Sequence, residues 1–170
     1  ATSPGNAMAI SIGFIGLGAM GVRMAAHLLG HDIELTVWNR SPGPAEALAA
    51  KGAAPARSPR EAAAGRDLVI SMLSDDDACR HVWLEGEHAA IAGIGEGTLV
   101  IESSTVSPEW VRTLAGAVSA RGGGLLDAPV IGSRPQAEAA SLIYVVGGDA
   151  ARLEAVEPIL RRMGSAVHHT

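Results

Sequence analysis

The sequence is poor in several residue types, and each shortage argues against a class of protein. Its 170 residues include a single cysteine, Cys79, which cannot form a disulfide within the chain, and we therefore expect a cytoplasmic location. No apolar run approaches the ~20 residues that cross a membrane, so no membrane partner is expected. The densest basic stretch is only Arg161-Arg162 in a chain of net charge −5, which argues against nucleic acid as a partner.

Aromatic residues are also few, whereas alanine and glycine are abundant. Small side chains favour close packing of helices on a sheet, and the length suits one domain with its own core. The stretch ATSPGNA before Met8 consists largely of turn-forming residues, and we interpret residues 1–8 as a cloning remnant. Residues 9–170 are predicted to form a single domain.

Apolar, strand-like runs alternate with alanine-rich helical stretches along this domain. Helices are predicted near 19–30, 44–51, 59–64, 76–84, 108–121 and 150–163, with Ser58 and Ser107 as N-caps before prolines. The strand-like runs are Ala9–Ile15, Ile33–Trp38, Leu68–Leu73, Thr98–Ile101, Gly124–Asp127 and Leu142–Val146. Strands that are apolar along their whole length, with helices between them, are typical of a parallel sheet covered on both faces. The sequence predicts an α/β fold with a doubly wound, mostly parallel sheet and helices on both faces.

A glycine-rich loop joins the first predicted strand to the first predicted helix. It reads Gly16-Leu17-Gly18-Ala19-Met20-Gly21, which is the GxGxxG pattern. In a Rossmann-type fold the first glycine permits the turn, the second lets the backbone approach a pyrophosphate, and the third allows close helix packing. The helix N-terminus then offers free N–H groups to the phosphates. A turn that merely packs the helix on the sheet is the alternative, and the strand–loop–helix context favours dinucleotide binding.

The end of the second strand indicates which dinucleotide is preferred. NAD-binding domains usually place an acid there to hold the ribose diol, and this sequence instead reads Asn39-Arg40-Ser41. The planar fork of Arg40 suits a 2′-phosphate, Ser41 adds a hydroxyl donor and Asn39 an amide. A charge-assisted hydrogen bond contributes roughly 1.5–3 kcal/mol, or about tenfold to a hundredfold in preference. We therefore predict NADP(H) as cofactor, with an exposed loop arginine as the alternative interpretation of Arg40.

Several ordered motifs resemble those of the β-hydroxyacid dehydrogenases, a family that includes 3-hydroxyisobutyrate dehydrogenase and several semialdehyde reductases. More distantly, the resemblance extends to 6-phosphogluconate dehydrogenase. It covers residues 9–170 and includes the turn Asn39-Arg40-Ser41 of the NADP-using members. The other motifs that carry it are Phe14–Ala25, Ser71–Asp75, Glu102–Pro108 and Asp127–Val130.

The resemblance implies a set of cofactor contacts, each near the end of a predicted strand. Carried onto this sequence, they fall on Gly16, Leu17, Gly18, Ala19, Met20, Gly21, Asn39, Arg40, Ser41, Met72, Leu73 and Thr105. Ligands of parallel sheets bind outside the carboxyl ends of the strands, which agrees with these positions. Strand core is the alternative role for Met72 and Leu73, and a helix cap is the alternative for Thr105.

The substrate side departs from the family pattern. Where the family usually reads D-A-P-V-S-G-G, this sequence ends the motif with Ile131-Gly132-Ser133. The resemblance implies that Gly132 and Ser133 contact a small carboxylate substrate. Ile131 stands where the family has a hydrogen-bonding serine, so the identity of that substrate stays open.

The proton donor of the family is a second departure. The family uses a lysine on a helix that follows the cofactor domain, and the only lysine here, Lys51, is predicted at the end of the second helix. We therefore expect no catalytic residue in this chain. The resemblance implies that the lysine lies beyond Thr170, in a C-terminal helical domain absent from this chain, and that the complete enzyme is a homo-oligomer.

Three functions follow from these observations. The first is an NADP(H)-dependent oxidoreductase of small β-hydroxyacids or their semialdehydes, and the motif Asp127–Val130 favours it. The second is an imine reductase, and the third is a dinucleotide-binding module without catalysis. No metal site is predicted, because the acids at 75–77 suit a helix start and His168-His169, if in a strand, point to opposite faces.

Overall fold

The computed structural model describes residues 9–170, and the first eight residues, interpreted as a cloning remnant, lie outside the described part. The strands are β1 (Ile10–Ile15), β2 (Ile33–Trp38), β3 (Ala54–Pro55), β4 (Leu68–Ser71), β5 (Leu99–Glu102), β6 (Gly124–Asp127), β7 (Val130–Ile131), β8 (Leu142–Val146) and β9 (Gly164–His169). The helices are α1 (Ala19–Ala26), α2 (Gly43–Ala49), α3 (Pro59–Ala63), α4 (Asp76–Leu84), α5 (Pro108–Ala120), α6 (Arg134–Glu138) and α7 (Ala150–Met163). A single-turn 3-10 helix spans Ala90–Gly93.

Six parallel strands form the main sheet, in the order β3-β2-β1-β4-β5-β6. The chain builds outwards from β1 to β3, then returns across the sheet to place β4 on the other side of β1. The predicted α/β, doubly wound fold is therefore confirmed. The reversal opens a crevice outside the carboxyl ends of β1 and β4, where ligands of this fold class bind.

The core consists of one apolar layer on each face of the main sheet. Side chains alternate along each strand, so Ile70 of β4 enters one layer and its neighbour Val69 enters the other. The first layer packs against α1 and α7. The second packs against α4 and α5 and contains two fully buried tryptophans, Trp83 and Trp110. Both faces are covered, which explains why the central strands are apolar throughout.

A second sheet of three strands, in the order β7-β8-β9, was not predicted. The apolar run Leu142–Val146 forms β8 here and is not part of the main parallel sheet. It pairs antiparallel with β7 and parallel with β9. Its residues alternate between buried and half-buried positions, whereas β4 is buried throughout, as expected for a strand covered less completely on one face.

The predicted helix starts are confirmed by their caps. The Ser58 hydroxyl accepts from the Glu61 N–H at 3.1 Å, and the Ser107 hydroxyl accepts from the Trp110 N–H at 3.1 Å. The Asp75 carboxylate caps α4 at 2.8 Å from the Ala78 N–H. Between residues 9 and 170, none of the helices has both the length and the apolar character that a membrane span requires.

Two isoleucines allow a matched test of this core. Ile70 is fully buried in β4, whereas Ile131 of β7 is 60% exposed. We expect Ile70→Ala to lower the free energy of unfolding by about 2–5 kcal/mol, because it removes buried methyl groups and leaves a cavity. The matched Ile131→Ala should change it by less than about 0.5 kcal/mol. Urea denaturation measures both, and equal effects would contradict the placement of β4 at the centre of the core.

Candidate functional site

The glycine loop lies in the crevice at the carboxyl ends of β1 and β4. Gly16 has φ +100°, and a Cβ there would lie 2.2 Å from the carbonyl oxygen of Met72. A Cβ on Gly21 would lie 1.9 Å from the Gly16 carbonyl oxygen. Both positions therefore require glycine, because the loop, the start of α1 and the end of β4 meet through backbone atoms.

Gly18 differs from its two neighbours in the motif. Its φ is −71°, which any residue adopts, and a Cβ there would meet nothing within 4 Å. Gly18 is the N-cap of α1 and supplies no side-chain cap, so no N-cap side chain satisfies the first N–H groups of the helix. Open backbone at a helix N-terminus fits an anionic group such as a pyrophosphate.

Asn39 ties the glycine loop to the turn after β2. Its side-chain oxygen accepts from the Leu17 N–H at 2.9 Å, and its side-chain nitrogen donates to the Ser41 carbonyl oxygen at 3.0 Å. The amide predicted as a ligand donor thus has contacts within the protein. Arg40 lies exposed beside it, and no carboxylate among residues 9–170 forms an ion pair with its guanidinium.

Two clefts flank Gly18, and they share Gly18, Met72, Leu73 and Ser74. The first, which we call the Thr105 cleft, has a volume of about 290 Å³. The second, the Arg40 cleft, has a volume of about 240 Å³. The Thr105 cleft is lined by Gly18, Ala19, Met20, Gly21, Met72, Leu73, Ser74 and Thr105. The Arg40 cleft is lined by Gly16, Gly18, Trp38, Asn39, Arg40, Met72, Leu73, Ser74, Ala78, His81 and Val82.

The structure leaves four of the predicted site residues outside the lining of both clefts. The Leu17 side chain is buried in the core, and the Leu17 N–H already donates to the side-chain oxygen of Asn39. Ser41 is exposed and binds Asn39 through its carbonyl oxygen. Gly132 and Ser133 are exposed between β7 and α6, and the N–H and hydroxyl of Ser133 both donate to the side-chain oxygen of Gln136.

Five lining residues were missed by the sequence analysis. Ala78, His81 and Val82 lie three and four residues apart on α4, so they share one face of that helix. The spacing was visible in the sequence, but the contact of this face with the cleft is long-range. Trp38 and Ser74 each stand at or beyond a strand end, where the fold class places ligand contacts.

Buried polar groups lie beneath the clefts, where β4 and β5 end. Glu102 is fully buried, and this burial raises its pKa, an effect offset in part by hydrogen bonds from Ser104, Trp110 and Ser71. Cys79 is also fully buried, and burial raises the pKa of its thiol to about 12. Cys79 is thus a thiol of the core, as its helical context indicated, and it is neutral at pH 7.

The acids at the start of α4 have structural partners. The Asp76 carboxylate accepts from the Ser107 N–H at 2.9 Å and from the Ser107 hydroxyl at 2.5 Å, and these two bonds lower the pKa of Asp76. They join the starts of α4 and α5. Within the described residues, no three His, Cys, Asp or Glu side chains cluster closely enough to hold a metal ion.

The six-stranded doubly wound sheet, the glycine loop and the open helix N-terminus together define a dinucleotide-binding domain. Residues 11–170 match the family model described as the NAD binding domain of 6-phosphogluconate dehydrogenase. The chain therefore belongs to this family of nicotinamide dinucleotide-binding domains, which confirms the family predicted from the sequence motifs.

Several known proteins similar to this chain are oxidoreductases. An NAD-dependent L-serine dehydrogenase of Pseudomonas aeruginosa is 41% identical over 93% of this chain and 53% of its own length. The solved 3-hydroxyisobutyrate dehydrogenase of Mycobacterium tuberculosis with L-serine is 36% identical, with a TM-score of 0.87 over 95% of this chain and 54% of that protein. An imine reductase of Streptomyces aurantiacus is 32% identical, with a TM-score of 0.82 over 94% of this chain and 55% of its own. The chain spans about half the length of these relatives.

The three loop glycines differ in the space that each leaves, which predicts unequal tolerance to substitution. Gly21→Ala places a methyl group against the Gly16 carbonyl oxygen, so the loop or the helix must move, and we expect a loss of several kcal/mol in the free energy of unfolding. Gly18→Ala meets open space and should change it by less than about 1 kcal/mol. Thermal and urea unfolding test this contrast. Equal destabilisation by both variants would contradict the loop geometry.

Proposed function

We propose that the chain is the NADP(H)-binding domain of an oxidoreductase that transfers a hydride to or from a small β-hydroxyacid or its semialdehyde. The observation that carries this proposal is the open backbone at Gly18, placed between two clefts at the start of α1. In this proposal each of the two nucleosides of a dinucleotide occupies one cleft, and the pyrophosphate that joins them lies between the clefts. Similarity to a serine dehydrogenase and a 3-hydroxyisobutyrate dehydrogenase supports the reaction class.

Arg40 supports NADP(H) as the preferred cofactor. Its guanidinium lines the cleft beyond Trp38, where an acid would hold the ribose diol of NAD. It is free of ion pairs in the described chain, so binding a 2′-phosphate would break no existing contact. The serine dehydrogenase relative is NAD-dependent, so the preference is proposed from the residues of this chain.

The described residues bind and orient the cofactor in this proposal. The N-terminus of α1 holds the pyrophosphate with backbone N–H groups, and Met72 and Leu73 form an apolar wall that both clefts share. Thr105 supplies a hydroxyl to the Thr105 cleft, whereas Arg40 lines the other cleft. When bound, the nicotinamide accepts or donates the hydride.

A proton donor for the substrate oxygen is proposed to lie outside these 170 residues. The only lysine, Lys51, follows α2 and lines a different groove together with Arg23 and Glu138. We infer that a C-terminal helical domain provides the lysine, closes over the clefts and forms the homo-oligomer. Loss of a positioned general acid typically lowers the rate by about 10²–10⁴.

The substrate is proposed to be a small carboxylate that contacts Gly132 and Ser133. Both residues are exposed, but the Ser133 hydroxyl donates to Gln136, so it has to rotate before it can donate to a substrate. Ile131 offers no hydrogen bond beside them. An imine reductase is the second candidate, supported by the 32% identity to the Streptomyces aurantiacus enzyme.

Calorimetric titration of the purified chain with NADPH and then NADH tests the cofactor proposal. We expect NADPH to bind about tenfold to a hundredfold more tightly than NADH, from one charge-assisted contact with the 2′-phosphate. Arg40→Ala should remove most of this preference. Arg112→Ala is the matched control, because Arg112 is an exposed arginine on α5, and it should leave both affinities unchanged. Equal affinities in the unsubstituted chain would contradict the proposed role of Arg40.

Gly18→Ala tests the proposed pyrophosphate site at the start of α1 independently of the cofactor preference. The added methyl group occupies the open space that the pyrophosphate would fill, while the fold tolerates it. We expect the affinity for NADPH and for NADH to fall by a similar factor, at least tenfold, with an unchanged circular dichroism spectrum. Unaltered binding would show that the phosphates lie elsewhere.

A further inference from the structure

Glu102 is a buried carboxyl group that takes no part in the proposed chemistry. It is the last residue of β5 and is fully buried. One side-chain oxygen accepts from the Ser104 N–H at 2.9 Å, and the other accepts from the Trp110 indole N–H at 3.2 Å. Among residues 9–170 it forms no ion pair with an arginine, lysine or histidine. A carboxyl group is costly to bury, so its retention here calls for a physical reason.

Hydrogen bonds lead from Glu102 to the wall of both clefts. Ser104, held by Glu102 through its N–H, accepts from the Leu73 N–H through its hydroxyl at 2.8 Å. Leu73 lines both clefts, and Thr105, the next residue after Ser104, lines one of them. The loops after β4 and β5 are thus fixed to each other, and both are anchored on the same buried carboxyl group.

We propose that Glu102 is a positioning residue for the dinucleotide site. It acts through Ser104, which sets the place of Leu73 and Thr105 against the cofactor. The inference rests on the proposed function only in that these clefts bind the dinucleotide. The alternative is a purely structural role, in which Glu102 does no more than anchor Trp110 in the core.

Glu102→Gln tests the proposal with little change of shape. Glutamine has one acceptor oxygen, so its NH₂ group must face either the Ser104 N–H or the Trp110 N–H, and one of the two bonds is lost. We expect the affinity for NADPH to fall roughly five- to tenfold. Thr98→Val is the matched control, since the Thr98 hydroxyl donates to the Arg66 carbonyl oxygen at 3.2 Å just before β5 begins, and Thr98 lines neither cleft. It should lower stability and leave the affinity unchanged.

Ser104→Ala and Ser103→Ala form a second pair, which carries the test if Glu102→Gln does not fold. Both serines are buried, but the Ser103 hydroxyl has no hydrogen-bond partner, whereas the Ser104 hydroxyl holds Leu73. Ser104→Ala should weaken NADPH binding by a similar factor, and Ser103→Ala should not weaken it. Calorimetry measures each affinity, and urea unfolding measures each stability.

The double variant of Glu102→Gln and Ser104→Ala separates a shared path from independent effects. If Glu102 acts through Ser104, the double variant binds NADPH about as weakly as either single variant. Multiplied effects would overturn the path through Ser104. Loss of stability with unchanged affinity in both single variants would overturn the positioning role. If the unsubstituted chain itself fails to bind either dinucleotide, the proposed function fails instead.

Discussion

The site depends on a close approach of three backbone segments that only glycine permits. A Cβ on Gly16 would meet the carbonyl oxygen of Met72, and one on Gly21 would meet that of Gly16. These contacts bring the start of α1 onto the ends of β1 and β4, where the sheet reverses its winding. Gly18, between them, is left with open space, so one loop combines two tight contacts with one vacant position.

Five of the six strands of the main sheet could be predicted from the sequence, because they are short, largely apolar and separated by helices, whereas β3, with two exposed residues, was not predicted. Local pattern was enough for these elements and for the glycine loop. The second sheet was missed because β7 has two residues and β9, with sequence GSAVHH, lacks an apolar pattern. β9 forms because it pairs with β8, and this long-range interaction leaves no pattern in the local sequence.

The residues of the site could be named from the sequence more readily than their bonds. Asn39 was predicted beside the cofactor, but its amide holds Leu17 and Ser41. Two adjacent serines show that residue type does not determine the hydrogen-bond partner. The Ser104 hydroxyl joins two loops, whereas the Ser103 hydroxyl has no partner. Residue type restricts what a side chain can donate or accept, whereas the partner depends on loops brought together by the fold.

The proposed selection of NADP(H) is coupled, through Asn39, to the proposed pyrophosphate site at Gly18. The amide bonds hold the turn after β2 to the Leu17 N–H, so the turn is ordered before any ligand binds. An arginine on an ordered turn loses less backbone freedom on binding than one on a mobile loop. Arg40 directly follows Asn39 and lines the same cleft as Gly18, so in the proposal one bound dinucleotide would place its pyrophosphate at Gly18 and its 2′-phosphate at Arg40.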